Sequence, residues 1–334
     1  MIDAVFKRES RFDLREFINK NAIYLVLIGL ILGIGFLDKS FLSIANLRNV
    51  LIIASVRVII ALGEGGILIT RGVDLSAGRV VGLTACIAAS LLQRPDYAYK
   101  MFKSLPYMPV FVPILLVILI GLIIGVINGM ITAYLKIPPF IATLGMMVIA
   151  YGVASIYTNA QPIGGLRDDF MNLASGSVFF IPNIVMIALI VSILIWFILN
   201  KTRLGKYIYA IGGNPNAAEV SGVDVNRTLI TVYGLGGALY GLAGALLAAR
   251  TGGATNNYGL MYELDAIAAA TIGGVSTSGG IGKVSGIITG VLIFEVLNNG
   301  LVILGLSAYW QQVVKGIIII AAIAFDIRKY LAKR

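Results

Sequence analysis

Histidine is absent from this chain, and cysteine occurs once, as Cys86 within an apolar run. A single cysteine cannot close an internal disulfide, and in apolar surroundings it packs as a small hydrophobe. With no histidine and one thiol, a zinc or transition-metal centre has too few ligands, and catalytic triads built on histidine are excluded. No G-x-x-x-x-G-K-[ST] run occurs, so the chain has no phosphate-cradling loop for ATP. Charge is also scarce, at 13% of residues. No loop is long enough for a separate soluble domain: the largest outward-facing ones, 93–109 and 158–182, fall well below the roughly 50 residues at which domains begin.

What the chain has in abundance is apolar sequence. Hydrophobic residues make up 58%, and mean hydropathy is +0.93. A helix crosses a bilayer with roughly 20 apolar residues, and about ten such runs are present. They lie near 22–37, 49–70, 77–92, 109–131, 139–157, 182–199, 229–249, 264–275, 284–304 and 308–325, of which the third and eighth are short or polar. The expected fold is all-α: a polytopic membrane protein whose single transmembrane domain covers 21–327. The opening segment 1–20 is charged, so no cleaved signal peptide is expected.

The net charge of +10 falls into three clusters. Lys7, Arg8, Arg11, Arg15 and Lys20 precede the first run. Lys201, Arg203, Lys206 and Arg227 flank a central polar segment, and Arg328, Lys329, Lys333 and Arg334 close the chain. An even number of spans puts all three on one side, and the positive-inside rule makes that side cytoplasmic. The basic excess then reports topology and calls for no nucleic-acid partner. The segments 1–20, 200–228 and 328–334 are accordingly expected in the cytoplasm.

The central segment has the marks of a short helix. Asn214 can cap it, Pro215 suits its first position, and Gly222 can end it in a left-handed conformation. Between them run Asn216, Ala217, Ala218, Glu219, Val220 and Ser221. The helix is expected to present Ala217, Ala218 and Val220, whose small side chains allow close approach by a partner.

Several features point into the membrane. GVDLSAG at 72–78 and GVSTSGG at 274–280 both read G-V-x-x-S-x-G. Matched breaks in two halves mark an internally repeated transporter, and broken backbone is tolerated only against protein or a water-filled cavity. Asp74, Ser76, Ser276 and Ser278 are therefore candidate pathway residues; the alternative is two ordinary surface turns. Glycines four apart at Gly29/Gly33, Gly121/Gly125/Gly129, Gly237/Gly241 and Gly282/Gly286/Gly290 predict close helix packing. Arg57, Glu64, Glu295 and Lys315 are ionisable residues within spans, which are costly unless paired or functional. Arg57 and Glu64, seven apart, share a helix face and can pair with each other or with other spans. Glu295 and Lys315 can pair between neighbours, and Glu64 or Glu295 can instead carry protons. The segment 254–270 gathers Asn256, Asn257, Tyr258, Tyr262, Glu263 and Asp265 at the mouth of a span. These groups suit a hydroxyl-rich solute. Glu263 and Asp265 equally suit a helix N-terminus, where the dipole stabilises negative charge.

NLRNVLIIASVRVIIALG, ILITRGVDLSAGR, NKTRLGKYIYAIGGNPNAAEVSGV, MYELDAIAA, IGGVSTSGG and YWQQVVKGIIII occur in this order across most of 45–325. Together they resemble the permease subunits of ribose-type ABC sugar importers. SVRVIIALG, GATNNYGLMYELDAIAA and the LLQ-x-x-D loop near Leu91 are most similar to the galactose/methylgalactoside branch. The resemblance implies a non-enzymatic conduit in a bacterial inner membrane, working as a homodimer. It implies two copies of a separate ATPase that bind ATP and Mg, and a periplasmic or lipid-anchored sugar-binding protein. It also implies that the coupling helix lies within 214–223. Relatives carry ribose, xylose, nucleosides or quorum-signalling sugars. Glu64 and Glu295 depart from the apolar or small residues usual in the family. That departure keeps an ion-coupled secondary transporter as the alternative.

Overall fold

The computed structural model describes residues 14–331. The basic residues at 7–11 and the tail at 332–334 lie outside them. Among the described residues the chain is almost wholly helical: α1 (Leu14–Leu37), α2 (Ile44–Ile69), α3 (Ala77–Leu91), α4 (Phe111–Tyr134), α5 (Pro139–Thr158), α6 (Asp168–Ser175), α7 (Asn183–Lys201), α8 (Arg203–Gly213), α9 (Pro215–Val220), α10 (Val225–Thr251), α11 (Tyr262–Ile272), α12 (Val284–Ile303) and α13 (Ala308–Leu331). A two-stranded hairpin, β1 (Ser177–Val178) and β2 (Ile181–Pro182), precedes α7. Six helices, α2, α4, α5, α7, α10 and α12, are long and apolar enough to cross a bilayer unaided. Parts of α1 and α13, and all of α3, are shorter apolar helices.

The helix ends sort onto two faces. At one face Gly280 N–H donates to Ile69 O at 2.9 Å, and Arg71 Nε donates to Gly212 O at 2.7 Å. Asp326 near the end of α13 accepts from Thr277 N–H at 2.9 Å on the same face. At the opposite face Asn46 Nδ2 donates to Asn299 Oδ1 at 2.8 Å, which joins the start of α2 to the end of α12. Bridges there pair Gln93 with Leu166 and Ile163 with Ala254, joining the ends of α3, α5 and α10. The chain thus crosses ten times through α1–α5, α7 and α10–α13. The described chain starts and finishes on the face that carries α8 and α9.

Two of the crossings are made by short helices. At 1.5 Å per residue, α3 and α11 span about 22 and 16 Å, short of the roughly 30 Å hydrocarbon core. Irregular backbone completes each crossing. In both cases a long helix enters a non-helical turn that leads into a short helix: α2, 70–76, α3 and α10, 252–261, α11. The two turns start from opposite faces, so this repeat is inverted. It differs from the expected match of 72–78 with 274–280, because 274–280 follows its short helix instead of leading into one. The glycines also do different jobs. Gly274, Gly279 and Gly280 have φ of 86°, 84° and 75° and make a turn. Gly72 and Gly78 are sites of close approach: a Cβ on Gly72 would press on the Tyr233 hydroxyl, and one on Gly78 on the Gly259 carbonyl.

Helices α4 and α10 form the closest long pairing. Gly121 and Gly125 face Gly237 and Tyr233, with carbonyls of each helix lying where a Cβ of the other would sit. Gly286 and Gly290 similarly pack on Gly273 and Ala269. Gly29 and Gly33 face open space, so in α1 the four-residue spacing carries no packing. Gly237→Ala should therefore destabilise the protein by about 1–3 kcal/mol through overpacking. Gly33→Ala should be neutral or mildly stabilising. Thermal unfolding of both variants in detergent tests this, and equal midpoints would remove the packing role of the α4–α10 glycines.

Candidate functional site

The two inverted turns converge inside the molecule. Arg79 Nη1 donates to Asn256 O at 3.4 Å, and Gly78 lies against Gly259 and Glu263. The N-termini of α3 and α11 therefore meet near mid-span, a geometry associated with solute sites in transporters with broken helices. Backbone N–H groups in such a turn have no water to bond, and protein groups must replace it.

Those replacements define the polar centre. Glu64 Oε1 accepts the Asp74 N–H at 3.0 Å, and its Oε2 accepts the Tyr240 hydroxyl at 3.0 Å. Thr143 Oγ1 accepts the Leu75 N–H at 3.1 Å. Asp74 Oδ1 accepts from the Ser76 N–H at 2.9 Å and the Ser76 hydroxyl at 2.6 Å. Asn128 Nδ2 donates to Ser76 Oγ at 3.0 Å, and Tyr233 Oη donates to Val73 O at 3.3 Å. Glu64, Asp74, Ser76, Asn128, Tyr233 and Tyr240 are all essentially inaccessible. Two buried acceptors of this centre, Asn128 Oδ1 and Glu263 Oε2, have no hydrogen-bond partner among the described residues.

A second cluster lies beside it. Arg57 Nη1 contacts Glu295 Oε1 at 2.5 Å and Asp265 Oδ2 at 3.0 Å, and Lys315 Nζ reaches Asp265 Oδ2 at 3.4 Å. Arg57 also stacks over Tyr262 at 5.2 Å. Two cations and two carboxylates thereby tie α2, α11, α12 and α13 together with no net charge. Arg57 pairs with Glu295 and Asp265 across helices, not with Glu64 on its own face. Lys315 pairs with Asp265 instead of Glu295, and Glu64 is hydrogen-bonded but has no ion-pair partner among the described residues.

The sequence-predicted pathway residues thus fall in separate places. Asp74, Ser76 and Glu263 belong to the polar centre, with Tyr258 just above it, where its carbonyl lies against Gly82. Asp265 belongs to the ion-pair cluster. Asn256 bonds Ser155 Oγ at 3.0 Å, and Asn257 is exposed at the far face. Ser276 and Ser278 lie at the α8–α9 face, where Ser276 Oγ donates to Asp326 Oδ2 at 3.2 Å and accepts the Ser278 N–H at 3.2 Å. That arrangement caps a turn onto α13, and the hydrogen bonds of these two serines go to Asp326 and to each other, not to the polar centre. Sequence reasoning missed Asn128, Arg79, Tyr233 and Tyr240. Asn128 and Arg79 carry a signal, since each is a polar side chain inside an apolar run.

On the α8–α9 face, Asn214 Oδ1 accepts the Ala217 N–H at 3.1 Å, Pro215 occupies the first turn, and Gly222 has φ 85°. The expected short helix is present, but its exposed surface differs. Val220 is 90% exposed, whereas Ala218 is 4% exposed and turned into its own chain. Its N–H and carbonyl hold the turn closed, with Ala218 N–H donating to Asn214 O and Val223 N–H to Ala218 O, both at 3.0 Å. Asn216, Ala217 and Glu219 share the outer surface with Val220.

The ion-pair cluster makes a quantitative prediction. Arg57→Met strands Glu295 without a cation and should destabilise the protein by about 3–5 kcal/mol. In Arg57→Met/Glu295→Leu, Lys315 still matches Asp265, so much of the stability should return. Thermal unfolding in detergent checks the order, and a double variant no more stable than the single one would dissolve the charge-balance account.

Residues 46–323 match the protein family described as the permease component of branched-chain amino acid transport systems. The chain is 51% identical over 325 residues to the galactose/methyl galactoside import permease protein MglC of Escherichia coli (strain K12), covering 95% of this chain and 97% of that protein. Identity to MglC of Haemophilus influenzae (strain ATCC 51907 / DSM 11121 / KW20 / Rd) is 48% over 338 residues, covering 99% and 100%. Identity to the ribose import permease protein RbsC of Escherichia coli (strain K12) is 38% over 323 residues, covering 96% and 97%. No solved structure matches. The family match reaches from the first turn of α2 through two-thirds of α13 and takes in both broken helices, the ion-pair cluster and α8–α9; the chain belongs to this family of transport-system permease components.

Proposed function

We propose that this chain is the membrane permease of an ATP-driven importer of galactose and methyl galactosides. The sugar is delivered by an extracytoplasmic binding protein, and ATP with Mg is hydrolysed by a separate ATPase. The chain itself is a conduit, works as a homodimer in a bacterial inner membrane, and has both ends in the cytoplasm. The observation that carries this reading is α9, a capped helix at the face of the bundle with Val220 fully outward, in a segment whose neighbouring helix ends carry Lys201, Arg203, Lys206 and Arg227. A self-sufficient carrier has no use for such a projection. Basic residues beside it steer an approaching partner, while the apolar tip supplies the contact. The sugar assignment is supported by the near-full-length identity to galactose/methyl galactoside permeases, which exceeds that to ribose permeases. The large apolar faces left exposed on α5 and α13 leave room for a second copy as well as lipid.

Two experiments test it. Reconstituted with its ATPase and binding protein, the chain should take up labelled galactose and methyl galactoside in preference to ribose and nucleosides, only with ATP, and indifferently to a protonophore. Uptake without ATP that collapses with the protonophore would establish ion coupling through Glu64 or Glu295 instead. Val220→Asp should leave the permease folded but reduce co-purifying ATPase at least tenfold. Ala218→Arg should damage the local fold itself, because Ala218 is buried. Normal ATPase recovery with Val220→Asp would remove α9 from the interface. Cysteines placed at Ser10, Asn216 and Ala332 should all resist labelling by an impermeant reagent from outside intact cells; labelling of any one overturns the topology.

A further inference from the structure

The hairpin β1–β2 turns through Phe179 and Phe180, at the face opposite α9. Both adopt the left-handed conformation, with φ of 47° and 67°. Two-residue turns of this kind favour Asn-Gly, because a side chain with positive φ is strained. Here the turn carries two phenylalanines, 90% and 96% exposed. Strain and apolar exposure coincide at one point, and outliers of this sort cluster where a segment has a function to perform. Val178 and Ile181, each 45% exposed, extend the apolar tip along both strands.

We propose that Phe179 and Phe180 form a wedge seated in the headgroup layer of the outer leaflet, with lipid as the occupant. Three observations select lipid. First, the hairpin runs directly into α7, whose outer surface of Leu189, Ile190, Ile193, Leu194 and Phe197 is a lipid-facing stripe, so the tip continues an apolar face already in the bilayer. Second, α7 has 19 residues, a length of about 28 Å, and so nearly fills the roughly 30 Å hydrocarbon core. Its start at Asn183 then lies at the core boundary. The tip is two to three strand residues further along, at most about 10 Å, within reach of the interfacial layer. Third, no Asp, Glu, Lys or Arg occurs between Asp169 and Lys201. A docking surface for a soluble protein would carry charge for steering, and this segment supplies none of its own. The wedge would fix the height and tilt of α7, as aromatic anchors do at membrane interfaces.

The test replaces both native tryptophans, Trp196→Phe and Trp310→Phe, and introduces Phe180→Trp, with Phe179→Trp as an independent second reporter. Each protein is reconstituted in phosphatidylcholine vesicles, and folding is checked by its helical circular dichroism and monodisperse elution. Tryptophan emission should fall at least twofold with lipids brominated close to the glycerol end of the acyl chain. It should fall less with bromine near the methyl end, and stay constant when sugar-loaded binding protein is added. Emission unaffected by either brominated lipid overturns the proposal. So does emission that changes only on adding the binding protein, which would reassign the tip to protein docking.

Discussion

The Glu64 carboxylate holds the interior of this protein together. Residues 70–76 are irregular backbone within a bilayer-spanning bundle, and every N–H there needs an acceptor that water cannot supply. Glu64 gives one oxygen to the Asp74 N–H of the turn and the other to the Tyr240 hydroxyl of α10. One side chain thus closes the turn after α2 and locks it to the helix that leads into the second turn. The remaining groups follow the same logic. Thr143 from α5 serves Leu75, Tyr233 from α10 serves Val73, and Asp74 folds back onto Ser76. Helices α2, α3, α5 and α10 meet because each completes part of one short stretch of backbone. The glycine contact of α4 with α10 is what lets the ring close tightly enough for these bonds.

Charge is handled separately. Arg57, Lys315, Asp265 and Glu295 cancel among themselves a short distance away, and each is contributed by a different helix. A balanced quartet costs less than the three members left when one is removed, since that leaves an uncompensated charge in a low-dielectric setting. The arrangement therefore specifies which four helices assemble more strongly than it stabilises them. It also bears on ion coupling: Glu295 is engaged by Arg57, so it cannot exchange a proton without breaking the quartet.

Much of this was legible in the sequence, and the illegible part has a physical cause. Ten crossings follow from apolar runs of bilayer length, and the short ones at α3 and α11 were visible as runs that ended early. The cap and stop of α9 follow from Asn214, Pro215 and Gly222, because those residues act locally. For Arg57 the sequence leaves Glu64 and other spans both open, because residues seven apart share a face and the pairing is set by which helices pack on α2; Lys315 is matched with Glu295 in the sequence where the structure gives it Asp265. The repeat was misread for a related reason. G-V-x-x-S-x-G names residues, and a glycine can serve positive φ, as at Gly280, or close approach, as at Gly78, with the same letter. Ala218 shows the limit at its smallest scale: within a six-residue helix, one alanine is outside and its neighbour inside, and only the packing of α8 and α10 decides which.

The polar centre and the exposed helix α9 are joined by a continuous set of contacts. Arg71, in a left-handed conformation at the start of the 70–76 turn, donates to the carbonyls of Gly212 at 2.7 Å and Gly213 at 2.5 Å. Those carbonyls end α8 and would otherwise lack intrahelical partners. One residue further on, Asn214 opens α9. The neighbouring Ile69 carbonyl accepts from Gly280, which ties the loop after α11 to the same point. Any displacement of α8–α9 would act, through these hydrogen bonds, on the turn after α2 and the loop after α11. Long unbroken helices would resist such a push by bending over their whole length. A helix already broken at 70–76, and another that stops at Ile272, need change only a few dihedral angles. The breaks that require Glu64 and its partners for their stability are thus also the positions where the fold yields at lowest cost.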